Sequence, residues 1–266
     1  MRAFEYHRPS SSKDALALAA KKSEGKYLAG GQSLVQAMKL RLASPSDLID
    51  LGTIKELSGI KVSASNVEIG AMTRHADVAH SAEVKKTIPA LAALAGIIGD
   101  RQVRHMGTIG GSLANNDPTA DYPAAVMALD ATIVTNKRKL KPEEFFQGLF
   151  TTALAADEII TRVQFPLAKK AAYIKFRNQA SRYALVGVFV AKRPSEVRVA
   201  VTGAGAEGVF RVTQFEEALK KRFNPKSLDG LTASAEGLNS DLHGSAEYRA
   251  HLIGVLARRA VEAANA

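Results

Sequence analysis

The chain has 266 residues, 46% hydrophobic and 23% charged, enough apolar material for a sizeable core, so wholesale disorder is excluded. It contains no cysteine, which removes disulfides, thiolate nucleophiles and any Cys-ligated zinc or iron–sulfur cluster from the chain itself. Lys and Arg (36) outnumber Asp and Glu (26), for a net charge of +10, but the densest basic stretches lack the interleaved aromatics that stack nucleic-acid bases.

Those stretches are Lys137-Arg138-Lys139, Lys169-Lys170 and Lys220-Lys221-Arg222, and they read as solvated faces or as docking surface for acidic proteins. In chain order, the charged start Met1-Arg2-Ala3-Phe4-Glu5 predicts no secretion signal, and no run is apolar enough to span a membrane. Ser11 and Asp14 form a capping-box pattern that opens a helix to about Lys22. A short strand follows at 26–29, a helix at about 33–42 and a second strand at 48–51. Ile60-Lys61-Val62 and Val67-Glu68-Ile69 alternate with period two around Ser65-Asn66, which predicts a hairpin. Helices are expected at 73–80, 89–98 and 121–129, and strands at 131–134 and 158–165. Beyond a linker at 167–170, three strand patterns (173–177, 185–191, 196–202) precede a mostly helical end. Mixed elements followed by strands and then helices favour a second α+β unit.

Catalytic motifs are missing: there is no G-x-S-x-G elbow, no P-loop and no H-E-x-x-H. His75 and His80, five apart, do not share a metal-binding helix face and read as surface histidines. Glu143-Glu144 and Glu216-Glu217 read as solvated pairs. Two glycine-rich loops stand out. Ala29-Gly30-Gly31-Gln32-Ser33 lies between a strand and a helix start, where free N–H groups favour an anion. Gly107-Thr108-Ile109-Gly110-Gly111-Ser112 repeats the arrangement. Neither fits G-x-G-x-x-G, so this is not the Rossmann fingerprint.

This double motif, with Asp117-Pro118-Thr119-Ala120-Asp121 and with Lys175-Phe176-Arg177 leading to Tyr183-Ala184-Leu185-Val186, resembles the FAD-binding medium subunits of the carbon monoxide dehydrogenase/xanthine dehydrogenase family of molybdenum hydroxylases. The resemblance covers nearly the whole chain. It implies an α+β fold: a two-lobed FAD-binding domain of the vanillyl-alcohol oxidase (PCMH) type at 1–166, with lobes at about 1–53 and 54–166, then a small antiparallel sheet with helices at 171–266. FAD is the implied cofactor. Backbone amides at Gly30, Gly31, Gln32 and Ser33 would hold its pyrophosphate from one side, and Thr108, Gly110, Gly111 and Ser112 from the other, with Leu28, Ala29, Leu34, Ile98 and Ile109 as further cofactor-binding positions. Asn115 matches a phosphate or ribityl contact, and Asp121 an acid on ribose hydroxyls. Ile160 and Lys175 match positions near the adenine and flavin, and Tyr183 an aromatic over the isoalloxazine in some members. From the residues alone, Asp121 could equally cap a helix, Lys175 be solvated and Tyr183 be core. Many relatives have histidine at Gln32, an Asn-Arg pair at His105-Met106 and an acid at Arg182.

The resemblance further implies partners: a large molybdopterin subunit and a small iron–sulfur subunit in a dimer of heterotrimers, with an external electron acceptor (quinone, NAD, cytochrome or oxygen). The assembly would be cytoplasmic, or peripheral at the inner membrane through the complex. The metal centres would lie on those partners, because this chain has no thiolates to ligate them. No nucleic-acid role is expected. The alternatives are a self-sufficient flavin oxidase or dehydrogenase and a basic scaffold or nucleic-acid-binding module.

Overall fold

A computed structural model describes residues 1–266 and arranges them on three sheets. The first is parallel. Strand β1 (Glu5–His7), helix α1 (Ser12–Ala19), β2 (Lys26–Leu28), α2 (Leu34–Lys39) and β3 (Asp47–Asp50) run in sequence, and the strands lie in the order β1-β3-β2. Ser11 caps α1 as its pattern predicts, accepting from the Asp14 N–H at 3.1 Å. The helix stops at Ala19, short of Lys22, and α2 stops at Lys39 because Arg41 turns into the left-handed region at φ 62°. The edge strand β1, three half-exposed residues, left no apolar alternation for the sequence to show.

The second sheet is antiparallel. The expected hairpin forms from β4 (Ile60–Val62) and β5 (Asn66–Gly70), with Val62 opposite Val67. Six helices then intervene: α3 (His75–His80), α4 (Ala82–Thr87), α5 (Pro89–Gly96), α6 (Arg101–Met106), α7 (Ile109–Asn115) and α8 (Tyr122–Ala128). Strands β6 (Thr132–Thr135) and β7 (Lys139–Leu140), helix α9 (Pro142–Phe145) and strand β8 (Ile160–Pro166) complete the unit, in the sheet order β4-β5-β8-β6-β7. Strand β8 inserts between the hairpin and β6, and Val67, Ile69, Ile133, Val163 and Phe165 pack beneath the helices. Helices α4, α6 and α7 were not expected. Each is too short to show a 3.6-residue period, and α7 opens on the glycine pair read as a loop.

The third sheet, β9 (Lys170–Arg177), β10 (Ala184–Lys192), β11 (Val197–Thr202) and β12 (Phe210–Arg211), is antiparallel in the order β12-β11-β10-β9. Helix α10 (Thr213–Lys221) and the long helix α11 (Ala246–Asn265) follow. Strand β10 is buried on both faces, so its period-two pattern serves two cores. Val186, Val188 and Val190 pack under α10 and α11, while Phe189 and Ala191 join Tyr173, Ala200 and the core beneath α5 and α8. No helix is long and apolar enough to cross a membrane.

Two bland readings are corrected by burial. Glu216 is buried, accepting from the Val199 N–H at 2.9 Å and from the Arg211 guanidinium at 2.6 Å, so it is not a solvated carboxylate. His75 is 5% exposed, with its ring against Tyr122. The basic run at 137–139 is partly neutralised within the chain: Lys137 pairs with Asp157 and Arg138 with Glu158.

Candidate functional site

The first glycine motif bridges the end of β2 and the start of α2. Leu28 is the last strand residue and Leu34 the first helical one. Gly31 sits at φ 72°, a region that costs an L side chain about 1–2 kcal/mol, and this turn aims the following amides outward. The N–H groups of Gly30, Gly31, Gln32, Ser33 and Leu34 meet no acceptor in the protein, and the Ser33 hydroxyl makes no capping bond. Five consecutive unpartnered amides at a strand-to-helix turn are suited to holding an anion.

The second motif is built differently. Thr108 caps α7: its Oγ1 accepts from the Gly111 N–H at 3.1 Å, and its carbonyl accepts from the Ser112 N–H at 3.0 Å. The Ile109 N–H donates to the Thr73 carbonyl (3.1 Å) and the Gly110 N–H to the Ala71 carbonyl (2.8 Å). With the Gly107 N–H on the Val103 carbonyl (2.7 Å), five amides of this motif are already satisfied, and only the Thr108 N–H lacks a partner. What the motif offers outward is that amide and two hydroxyls, since the Thr108 Oγ1 proton and the Ser112 hydroxyl are uncommitted. Gly110 is glycine for packing: a Cβ there would lie 2.6 Å from the Ala71 Cβ.

The two motifs touch. A Cβ on Gly30 would come within 2.6 Å of the Gly107 Cα, and one on Gly111 within 3.2 Å of the Ala29 Cβ. The backbone of 29–31 therefore lies directly on that of 106–111, and the free amides of 30–34 and 108 share one neighbourhood. His75 supports this contact from behind. Its backbone N–H donates to the Gly107 carbonyl at 2.9 Å, and its ring fills the space where a Gly107 side chain would stand. Burial, reinforced by Arg104, lowers the His75 imidazole to about 4, so it is neutral.

A polar cluster lies further along. Asp121 occupies the N-cap position of α8 but makes no capping bond. Its carboxylate turns inward and accepts from the Tyr173 hydroxyl (2.5 Å) and the Lys175 ammonium (3.0 Å). Lys175 is not solvated: its side chain is 2% exposed, and it also donates to the carbonyls of Ile97 and Arg182, each at 3.1 Å. Burial pushes the Asp121 carboxyl up, opposed by Lys175 and Tyr173. Tyr183 is 46% exposed and so is not core; burial and the carboxylates of Asp117 and Asp121 raise its phenol. The β9–β10 turn that carries it closes at Arg182, φ 64°.

Ile98 is half-buried beside this cluster, and its carbonyl accepts from Arg104 at 2.9 Å. Ile109 and Ile160 are buried, and the neighbour of Ile160, Thr161, bonds the Ala71 N–H on which the second motif leans. Asn115 is half-buried on α7. A cavity of about 450 Å³ opens beside Tyr183, with Asp117, Asn178, Asp241 and Arg249 in its wall, and one of about 420 Å³ is lined by Ala76, His80, Arg101, Arg104 and His105. Neither contains a glycine-motif residue; the free amides are what single out the candidate anion site. Sequence reasoning missed Tyr173 and Gly187. A lone glycine inside the apolar strand β10 was the available signal.

Known proteins resemble this chain over nearly its full length. Residues 2–168 match the family described as the FAD binding domain in molybdopterin dehydrogenase, and residues 171–264 the CO dehydrogenase flavoprotein C-terminal domain. The chain is 37% identical to the nicotine 6-hydroxylase medium subunit of Paenarthrobacter nicotinovorans, over 99% of this chain and 98% of that one. It is 35% identical to the carbon monoxide dehydrogenase medium chain of Hydrogenophaga pseudoflava, over 98% and 96%. Its structure superposes with a TM-score of 0.89 on a chain of H. pseudoflava carbon monoxide dehydrogenase (36% identity, 99% and 97% covered). Against quinoline 2-oxidoreductase of Pseudomonas putida the TM-score is 0.88 (28% identity, 99% and 98% covered).

Proposed function

The chain belongs to the family of FAD-binding medium subunits of molybdopterin-dependent dehydrogenases, and on that premise we propose that it is the electron-carrying subunit of a multi-subunit molybdenum hydroxylase. Bound FAD would supply the redox chemistry, taking electrons from iron–sulfur clusters on a partner and passing them to an external acceptor. The observation that carries this reading is the pair of abutting glycine motifs with six unpartnered amides, at Gly30 to Leu34 and at Thr108, which suit a pyrophosphate.

The chain's own residues then have distinct tasks. The amides of 30–34 bind the phosphates, with the Ser33 hydroxyl as a further donor. Thr108 adds one amide and, with Ser112, two hydroxyls from the opposite side. Asn115 reaches the phosphate or ribityl region, whereas Asp121, expected on ribose hydroxyls, is buried with both carboxylate oxygens on Tyr173 and Lys175 and so orients Lys175 instead. Ile98, Ile160, Lys175 and Tyr183 bound the ring end of the cofactor. Residues 1–166 form the cofactor-holding domain and 171–266 the domain that closes it. The partners are a large molybdopterin subunit and a small iron–sulfur subunit, assembled as a dimer of heterotrimers in the cytoplasm.

The division of labour is open to test. The purified chain should bind FAD, and chemical reductants should bleach it, yet it should oxidise no hydroxylase substrate alone. Turnover should appear when both partners are added, with flavin reduction following iron–sulfur reduction in stopped-flow absorbance. Substrate-dependent bleaching by the chain free of partners and metal would overturn this reading in favour of a self-sufficient oxidase.

A further inference from the structure

Tyr173 and Lys175 lie two residues apart on β9 and so share one face of the third sheet, the face covered by α5 and α8. Gly187 on β10 is the cross-strand partner of Lys175, and Phe189 that of Tyr173. Glycine inside a buried strand costs roughly 0.5–1 kcal/mol relative to alanine, so Gly187 calls for a reason. A Cβ there would overlap the Tyr173 hydroxyl and lie 2.9 Å from the Tyr173 Cζ and 3.0 Å from the Thr202 Cγ2. The missing side chain is what lets the phenol reach across to Asp121 at 2.5 Å. Thr202, opposite Gly187, steadies the same segment, with its hydroxyl against the carbonyls of Pro118 (3.0 Å) and Ala120 (2.6 Å).

The Asp121 carboxylate thus has one oxygen on Tyr173 and the other on Lys175. The ammonium joins three segments: the end of α5, the start of α8 and the turn that carries Tyr183. Without the phenol, one carboxylate oxygen would be buried with no donor, and the ion pair would lose its fixed geometry.

We infer that Tyr173 is a positioning residue of the cofactor site: seated over Gly187, its hydroxyl fixes the Asp121 carboxylate against Lys175, and residue 187 is glycine in order to admit it. This rests on the reading that Asp121 and Lys175 belong to the FAD site. With Tyr173 in place, the negative charge of Asp121 would balance Lys175 within the wall of the cofactor site. With it gone, Asp121 is more easily protonated, and the uncompensated ammonium favours the reduced, more negative cofactor.

The test uses the full chain with Tyr173→Phe, Gly187→Ala and the double variant. Phe189→Leu serves as a packing control, because that ring stacks on Tyr173 without a polar group. In the cofactor-free chain, acetylation of Lys175 by acetic anhydride, followed by peptide mass spectrometry, should be severalfold faster in Tyr173→Phe and Gly187→Ala than in wild type or Phe189→Leu. In the FAD-loaded chain, both should weaken FAD about tenfold, as loss of one charged hydrogen bond implies. Both should also shift the flavin midpoint potential upward, and the double variant should add nothing to either single change. Wild-type labelling and potential in a folded Tyr173→Phe chain, or an equal shift in Phe189→Leu, would overturn the inference. Faster labelling in a chain that never binds FAD would uphold the Tyr173–Asp121–Lys175 network and sink the cofactor reading instead.

Discussion

Gly30-Gly31 and Gly110-Gly111 look interchangeable as sequence, yet the chain uses them in opposite ways. The first pair frees its backbone. A left-handed Gly31 turns five amides away from every protein acceptor. The second pair commits its backbone: the amides of 109–112 bond to Thr73, Ala71 and Thr108, and the glycine at 110 exists so that α7 can lie flat on Ala71. One motif leaves its backbone donors free, and the other spends most of its own within the protein and seats the first. A glycine pair therefore announces a close approach without saying whether a ligand or the protein itself comes close.

The comparison breaks most forcefully at Gly110. Gly110→Val would drive a branched side chain into Ala71, costing roughly 3 kcal/mol or more, and FAD should be lost because α7 is displaced. Denaturant unfolding and flavin content measured on the same sample check this; a fully stable variant that lost only FAD would return Gly110 to direct cofactor contact. Next in size is the neutral histidine behind the second motif. His75 titrates at about 4 when folded against 6.5 ordinarily, so as pH falls the unfolded chain takes up its proton first. Stability should be intact above about pH 6.5 and decline by roughly 2–3 kcal/mol on the way down to about pH 4. His75→Leu should flatten that slope, and an unchanged slope would assign it to another group.

Thr108→Val removes the cap on α7 and should cost about 1 kcal/mol of unfolding free energy while weakening FAD only modestly. The smallest structural effect belongs to the first motif. Ser33→Ala deletes an exposed hydroxyl with no protein partner, so stability should move by less than about 0.5 kcal/mol while FAD titration shows weaker binding. A stability loss at Ser33 as large as that at Thr108 would erase the distinction between the motifs.

Much of this was legible beforehand because it is local. The Ser11 cap, the hairpin around Ser65-Asn66 and three of the four strands of the third sheet depend on spacings within a few residues, and they appear close to where those spacings put them. The two-residue β12 was not expected, and β9 starts at Lys170, within the expected linker. Helix α7 was not legible, because two glycines in its first turn argue against a helix unless the Thr108 cap and the Ala71 seat are known. The burial of His75 and Glu216 was equally hidden, since each is sheltered by residues outside its own helix.

The sequence by itself determined the cofactor class: two glycine motifs in the right order, with Asp121, Lys175 and Tyr183 behind them, carry the family resemblance, and the absence of cysteine keeps thiolate-bound clusters off this chain. The tertiary structure alone decided which amides are free and which carboxylate is balanced. Whether an N–H is available depends on whether an acceptor lies in reach: Thr108 supplies those of Gly111 and Ser112, but the acceptors for Ile109 and Gly110 are Thr73 and Ala71, on a segment far upstream. The partners of Asp121 come likewise from β9, which the fold brings beneath α8 with its period-two face turned toward it. A cap such as Thr108 is local, but the rest of the hydrogen-bond availability is a property of packed neighbours that no local pattern encodes.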